Sequence, residues 1–366
     1  EQGYFLFDGT RYPTGIVTPS LINPELTWEK STTKNLGFDF TFLQNRLTFC
    51  ADIFERKVTD ILIPGGKDYP ALIGDDNLPF ENAGVLKTTG FELQAKWSDK
   101  LSNGFAYSVG VALSDDKAEV LSYPSNPTNK IGDGVLYKGY TVGDIWGYET
   151  GGILQESDFD GVGPNGKPLY HGAYFKGGQP YPGYVWYQDL DHDGVITSGL
   201  STVDDPGDKK VIGNNAPRYR YNITANFQYK GFDLDLMFQG VGKRDYWLKD
   251  VSSYWGGGAG SWETYNQSWT PERTDAKFPM YGSGIGSYAQ SGYLLDASYI
   301  KLKQVILGYT FPKALIGKVG LEKLRLNIAA YNLFTLSDVP KYYDSDYLSD
   351  AYPPKRTFSV GIQVGF

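Results

Sequence analysis

Residues 218–240 read RYRYNITANFQYKGFDLDLMFQG and alternate with a period of two on both sides of a two-residue link. Tyr219, Tyr221, Ile223, Ala225, Phe227 and Tyr229 fall on one face, followed by Phe232, Leu234, Leu236 and Phe238. Arg220, Asn222, Thr224, Asn226 and Gln228 fall on the other, followed by Asp233, Asp235 and Gln239. Successive side chains of a strand point to opposite sides, so this pattern specifies two amphipathic strands. Lys230-Gly231 leaves room for nothing but a tight hairpin turn between them.

The same period recurs along the chain. In KNLGFDFTFL, Leu36, Phe38, Phe40 and Phe42 share a face, and in RLTFCADIF Leu47, Phe49, Ala51 and Ile53 do. TGFELQAKW contributes Phe91, Leu93, Ala95 and Trp97, and FAYSVGVAL contributes Phe105, Tyr107, Val109, Val111 and Leu113. YIKLKQVILGYTF, LRLNIAAYNLF and the terminal TFSVGIQVGF follow, which brings the count to about nine strands. In the first of these three the alternation changes phase near Gln304, which predicts a bulge. Cys50 lies opposite the apolar face and reads as a packed, unreactive thiol.

The connections alternate in length. Short turns fall near 43–46, 98–104, 230–231 and 312–322; long ones near 63–85, 122–216, 245–297 and 336–354. Hairpins with short turns at one end and long loops at the other are the layout of an outer-membrane barrel, with short turns periplasmic and long loops extracellular. A soluble β-sandwich also alternates. The aromatic residues at strand ends and the two longest loops, extreme for a compact soluble domain, favour the membrane. No apolar run approaches the roughly 18 residues of a membrane helix, but a barrel strand needs only about ten with every second one apolar. A net charge of −8 with no offsetting basic patch argues against nucleic acid. Nine is an odd number and an open edge in lipid leaves backbone groups unsatisfied. With residues 1–28 falling in a predicted extracellular loop, earlier strands are expected outside this chain.

Several blocks resemble the SusC-like TonB-dependent transporters: NPELTWEKSTTKNLGFDFTFLQNRLTFCADIFERKVTDIL, ENAGVLKTTGFELQAKW, DLDHDGVI, VIGNNAPRYRYNITANFQYKGFDLDLMFQGVGKRD, DASYIKLKQVILGYTFPKALI, RLNIAAYNLFTLS and RTFSVGIQVGF. They run in the family's order from about residue 23 to the end. The resemblance implies an all-β, antiparallel transmembrane barrel of 22 strands, of which residues 1–366 supply about the last nine. It further implies a plug domain inside the barrel, a SusD-like surface lipoprotein as a lid, TonB as the energy source, and oligosaccharides or peptides as cargo. The plug and Ton box have no match in this chain. A cell-surface glycan-binding or adhesin β protein without transport is the other reading.

Within the longest predicted loop, DLDHDGVIT (189–197) has the spacing that opens an EF-hand calcium loop. Asp189, Asp191 and Asp193 take positions one, three and five, Gly194 the turn, the Val195 carbonyl position seven and Thr197 position nine. Position twelve is Leu200 rather than a bidentate Glu, so Asp204 or Asp205 is expected to close a structural Ca2+ site. A solvated acidic turn has the same composition. His192 is expected to be exposed, because hard cations prefer oxygen. The loop aromatics Trp186, Tyr187, Trp247, Tyr254, Trp255 and Trp262 could stack on cargo, meet the lid, or pack the loops themselves.

Arg220, Asn222, Asn226, Gln228, Asp233 and Asp235 are expected to line the barrel lumen. Phe366, the aromatic end of an amphipathic last strand, looks like the signal read by the outer-membrane assembly machinery. No catalytic motif is present: the two histidines, His171 and His192, both fall in a loop, and the paired acids Asp75-Asp76 and Asp115-Asp116 are adjacent rather than facing.

Overall fold

The computed structural model describes residues 4–7, 10–13, 23–65, 79–247, 265–283, 288–339, 343–348 and 354–366. Nine strands form one antiparallel sheet in which every strand pairs with its neighbours in chain order. They are β1 (Lys30–Phe42), β2 (Leu47–Pro64), β3 (Phe80–Lys100), β4 (Ala106–Ser122), β5 (Arg218–Tyr229), β6 (Phe232–Lys243), β7 (Tyr299–Thr310), β8 (Lys323–Ser337) and β9 (Thr357–Gly365). This is the up-and-down meander expected from the hairpin pattern. Among the described residues, β1 and β9 each keep one unpaired edge, so the sheet is a partial barrel wall.

Register fixes the two faces. Phe40, Phe49, Ala95, Val111, Ile223, Phe238, Leu302 and Phe334 lie opposite one another from β1 to β8, an unbroken apolar row. The adjacent row reads Asp39, Cys50, Gln94, Ala112, Asn222, Gln239, Lys301 and Thr335. Nothing among the described residues covers the apolar rows: Phe38 is 50% exposed, Ile328 57%, and Val360 75%. A soluble sheet would bury that face, whereas a barrel turns it to lipid. Rings gather at the short-turn end of the same face, where Phe105 stacks on Tyr107 and Phe227 and Phe232 meets Tyr309. Such a belt suits the headgroup region.

The turns are made as their residues dictate. Lys230 and Gly231 both have positive φ, 45° and 88°, the backbone of a two-residue hairpin whose twist matches its strands. The pairing shifts between Leu302 and Gln304, where the phase change in the sequence predicts a bulge. Two sequence expectations need correction. β2, β3 and β4 run to 18, 21 and 17 residues, well past a membrane crossing, so the ends of the predicted 63–85 loop, residues 63–64 and 80–85, are strand. Cross-strand pairing continues beyond the bilayer wherever both chains keep extended backbone, and hydropathy period does not reveal that. Cys50 is half-buried on the polar face and borders an open cavity, rather than being packed away.

Most of the buried apolar residues lie in the loops, not in the sheet. Ile131, Tyr137, Tyr140, Tyr148, Leu154, Tyr187, Ile196 and Trp269 are all buried. The loop between β4 and β5 is closed on itself by pairing of Asp144–Tyr148 with Lys209–Asn214. It is joined to the β6–β7 loop by Gln290, which is fully buried: its Nε2 donates to Tyr187 Oη at 3.3 Å, and its Oε1 accepts from Thr150 Oγ1 at 3.2 Å. Trp269 Nε1 donates to Gln155 Oε1 at 2.9 Å across the same junction. Among the described residues no helix is long and apolar enough to cross a membrane.

Ile328 lies in an outward row with Leu307 and Val360. In the full-length protein reconstituted in vesicles, Ile328→Lys is expected to cost about 2–4 kcal/mol in urea unfolding if the residue faces the bilayer centre. Asn327→Lys, on the opposite face, is expected to cost a small fraction of that.

Candidate functional site

Three constellations stand out: the polar face of the sheet, the latch that ties its upper rim to a loop, and an acidic cluster inside the longest loop. The polar face collects all six residues expected there. Arg220 and Asn222 border a cavity of about 570 Å³ together with Asp52, Glu92, Gln94 and Gln239. Further along, Asn226 Nδ2 donates to Asp235, and Gln228 Nε2 donates to Asn226 Oδ1 at 3.2 Å. Arg325 holds Asp233 through Nε at 3.3 Å and Nη2 at 2.5 Å. Arg325 was not foreseen, since its partner comes from a strand that sequence order places far away. The adjacent acids Asp115 and Asp116 are each engaged by an arginine, Arg218 and Arg220 respectively. They form no facing carboxylate pair. Asp75 and Asp76 lie outside the described residues.

At the rim, Lys301 is buried on the polar face of β7. Its Nζ donates to both carboxylate oxygens of Asp344 at 2.9 Å and to Asp346 Oδ2 at 2.7 Å. Burial pushes the Asp346 carboxyl up, but the Lys301 and Tyr299 donors outweigh it and hold it below the usual range. A lysine buried in a strand is tolerable when its charge is matched, and here two carboxylates from the β8–β9 loop do so.

The acidic loop is built around its own backbone. Asp189 Oδ2 accepts the Gly194 N–H at 2.8 Å, Asp191 Oδ1 that of Asp193 at 3.2 Å, and Asp193 Oδ1 that of Val195 at 2.8 Å. These are the side-chain turns that Asp forms readily. Asp189, Asp191 and Asp208 place one carboxylate oxygen each within 4.8 Å of one another. Asp208 is fully buried, accepting from Leu190 N–H and Thr197 N–H at 2.7 Å each. Neither residue expected to close the loop is in this group. Asp205 turns to Leu200 N–H at 3.2 Å, Asp204 is exposed, and Thr197 Oγ1 accepts from Gly199 N–H at 3.2 Å. The chain reverses at Gly199 and Gly207, both with positive φ, and this reversal brings Asp208 rather than Asp204 back to Asp189.

Asp189 Oδ1 is buried and has no hydrogen-bond partner. Burial raises the Asp189 carboxyl, but hydrogen bonding, first that of the Gly194 amide to Oδ2, prevails and lowers it. For Asp191, the Asp193 amide lowers the carboxyl, yet burial and the negative charges of Asp193 and Asp208 prevail and raise it. Among the described residues no Lys or Arg pairs with any of the three. His192 is exposed, in left-handed backbone at φ 62°.

The aromatic residues divide. Tyr187 is buried in a ring cluster with Tyr148 and Phe175, so its place is in the loop core. Burial there pushes the Tyr148 hydroxyl up to about 12. Trp186 and Trp247 are half-buried, and Tyr254, Trp255 and Trp262 lie outside the described residues.

A sheet with its apolar face outward, a polar face inward and folded loops at one end narrows the comparison to membrane barrels. The model of the β-barrel of TonB-dependent receptor-like proteins matches residues 2–333. The chain belongs to the TonB-dependent receptor β-barrel family. TonB-dependent receptor P3 of Formosa agariphila is 27% identical, across 98% of this chain and 36% of its own length. TonB-dependent receptor SusC of Bacteroides thetaiotaomicron is 26% identical, across 100% of this chain and 34% of its own. Among solved structures, that of the RagAB peptide transporter superposes with a TM-score of 0.72 at 20% identity, over 100% of this chain and 38% of that one, and supports the fold alone. The chain therefore spans about a third of the length of these TonB-dependent relatives. The SusC-like resemblance carried by the sequence blocks stands. The TonB-dependent receptor β-barrel family is an outer-membrane family.

Lys301→Met leaves Asp344 half-desolvated and unmatched and leaves Asp346 with Tyr299 and the more distant Lys303 Nζ at 3.8 Å, with an expected cost on the order of 3 kcal/mol. Hydrogen exchange should register this first at the Leu348 amide, which donates to the Asp344 carbonyl at 2.9 Å.

Proposed function

We propose that this chain forms wall and surface loops of an outer-membrane importer that takes up oligosaccharides or peptides, beneath a SusD-like lipoprotein and energised through TonB. The observation that carries the reading is the inverted sheet, apolar outward and polar inward, beneath loops that fold on a core of their own. The polar residues of β5 and β6 would line the path or contact the plug. Phe366 would serve in assembly. Deleting the gene should abolish uptake of a labelled oligosaccharide or a labelled peptide by intact cells, and the protein should run as a heat-modifiable band in outer-membrane fractions. Recovery as a soluble protein without detergent would overturn the membrane reading.

The loop would hold a structural Ca2+. The fit rests on three carboxylates gathered without a cationic side chain and on the buried, unpartnered Asp189 Oδ1. Buried polar atoms in folded proteins nearly always have a partner, and hard oxygen donors suit calcium. Asp189, Asp191 and Asp208 would supply the carboxylates. The ion would relieve their mutual repulsion and cross-link a long segment. It would be a clamp rather than an EF-hand switch, since no helices flank the loop. By calorimetry on the full-length protein, Asp208→Asn is expected to weaken Ca2+ binding roughly tenfold or more, in line with the dependence of affinity on ligand charge. Asp204→Asn should leave it unchanged.

A further inference from the structure

The body formed by the loops contains a cavity of about 240 Å³ that no side chain of the described residues fills. Leu154, Phe175, Pro180, Val185, Trp186 and Ile196 supply much of its wall, with Ala173 and Tyr187 behind them. It is distinct from the polar cavity of the sheet and shares no lining residue with it.

Its main wall is held rigidly. The Trp186 ring lies against Gly151 so closely that a Cβ there would come within 2.3 Å of it. Gly152, at φ +148°, faces Trp186 in the strand register. Two glycines thus let the indole lie flat on backbone, and a fixed aromatic face loses little entropy on binding. Tyr187 and Ile196, at either end of the acidic loop, close the back and are themselves buried. Tyr174 and Gly178, both exposed, open the cavity to solvent.

The lining chooses the guest. Both amide hydrogens of Gln179 are engaged, by the Pro168 carbonyl at 3.1 Å and the Pro180 carbonyl at 3.2 Å. Apart from the tyrosine hydroxyls, Gln179 Oε1 and the Trp186 indole N–H, the side chains of the walls are hydrocarbon. A pyranose entering this space would strip water from several hydroxyls against a mostly apolar wall, a cost that an apolar ring does not incur. The space holds a single ring side chain, so the remainder of the ligand must stay outside. A planar apolar group on a polar stem is what a peptide carrying an aromatic residue offers and what a neutral glycan lacks.

We propose that this cavity is a recognition pocket for one aromatic side chain of a peptide cargo. The proposal deepens the import reading and rests on it for the source of the ligand, but its test reads binding rather than transport.

The full-length protein in detergent is titrated with the capped tripeptides Ac-Gly-Phe-Gly-NH2 and Ac-Gly-Ala-Gly-NH2 and with methyl maltoside. Saturation-transfer NMR and calorimetry follow binding. The Phe peptide is expected to bind at least tenfold more tightly than the Ala peptide, with the strongest transfer at its ring protons. Ala173→Phe grows a ring into the space and should abolish the difference. Trp186→Ala removes the wall without touching the buried Tyr148, Tyr187 and Ile196 cluster, and should reduce the difference if Ala173→Phe does not give the heat-modifiable folded band. Equal binding of the two peptides, or a preference unaffected by both substitutions, overturns the pocket. So does methyl maltoside binding that Ala173→Phe removes. Tripeptide discrimination without any cellular uptake would sink the import reading alone; uptake without discrimination would sink this one alone.

Discussion

The governing constraint is that a sheet in lipid must show its apolar side chains to the outside and satisfy every backbone N–H and C=O within its own ladder. The unbroken row from Phe40 to Phe334 and the open faces of Ile328 and Val360 express it directly. With the apolar residues turned outward, the strands cannot also build a conventional core between them. The inner face is then free to be polar, and it is, from Asp39 and Cys50 through Asn222 and Gln239 to Lys301. The polar pairs Asn226–Asp235 and Arg325–Asp233 are consequences of the same arrangement, since groups turned inward must find partners beside them.

Because the sheet offers no core, the loops make their own. Tyr148, Tyr187, Ile196 and Leu154 are buried within the connection between β4 and β5, and Gln290 ties that connection to the next one. Ordering such long segments carries a large entropic cost. The short internal ladders, the aromatic packing and the Asp208 hydrogen bonds to the Leu190 and Thr197 amides each act against it. Lys301 does the same for the last loop, fastening Asp344 and Asp346 to the rim of β7. The surface is thus a folded layer resting on the strands, and both the acidic cluster and the aromatic cavity belong to that layer.

Much of the fold was legible because a two-residue period has a direct physical meaning. Shifting any strand by one residue would exchange its faces, so the alternation of Tyr221, Ile223 and Ala225 with Asn222, Thr224 and Asn226 set both orientation and environment. The two-residue link at Lys230-Gly231 fixed a hairpin, and the phase change near Gln304 marked the bulge. The extension of β2 to β4 beyond the membrane was not legible, because strand pairing there continues without a hydropathy signature. The site was legible only in its local half. Asp189, Asp191 and Asp193 stand out by spacing, and Gly194 by its place in the turn. Asp208 does not, since Asp204 and Asp205 have the same chemistry and lie nearer in sequence.

The sequence by itself determined the strands, their faces, their turns and the kind of solvent each face meets, because these depend on neighbours one or two residues away. Tertiary structure alone decided which carboxylate joins Asp189, that Tyr187 is core, that Gln290 bridges two loops, and that Trp186 lies on Gly151. Each of these is a meeting of segments far apart along the chain. Its outcome depends on where a long loop reverses, and local pattern carries no record of that.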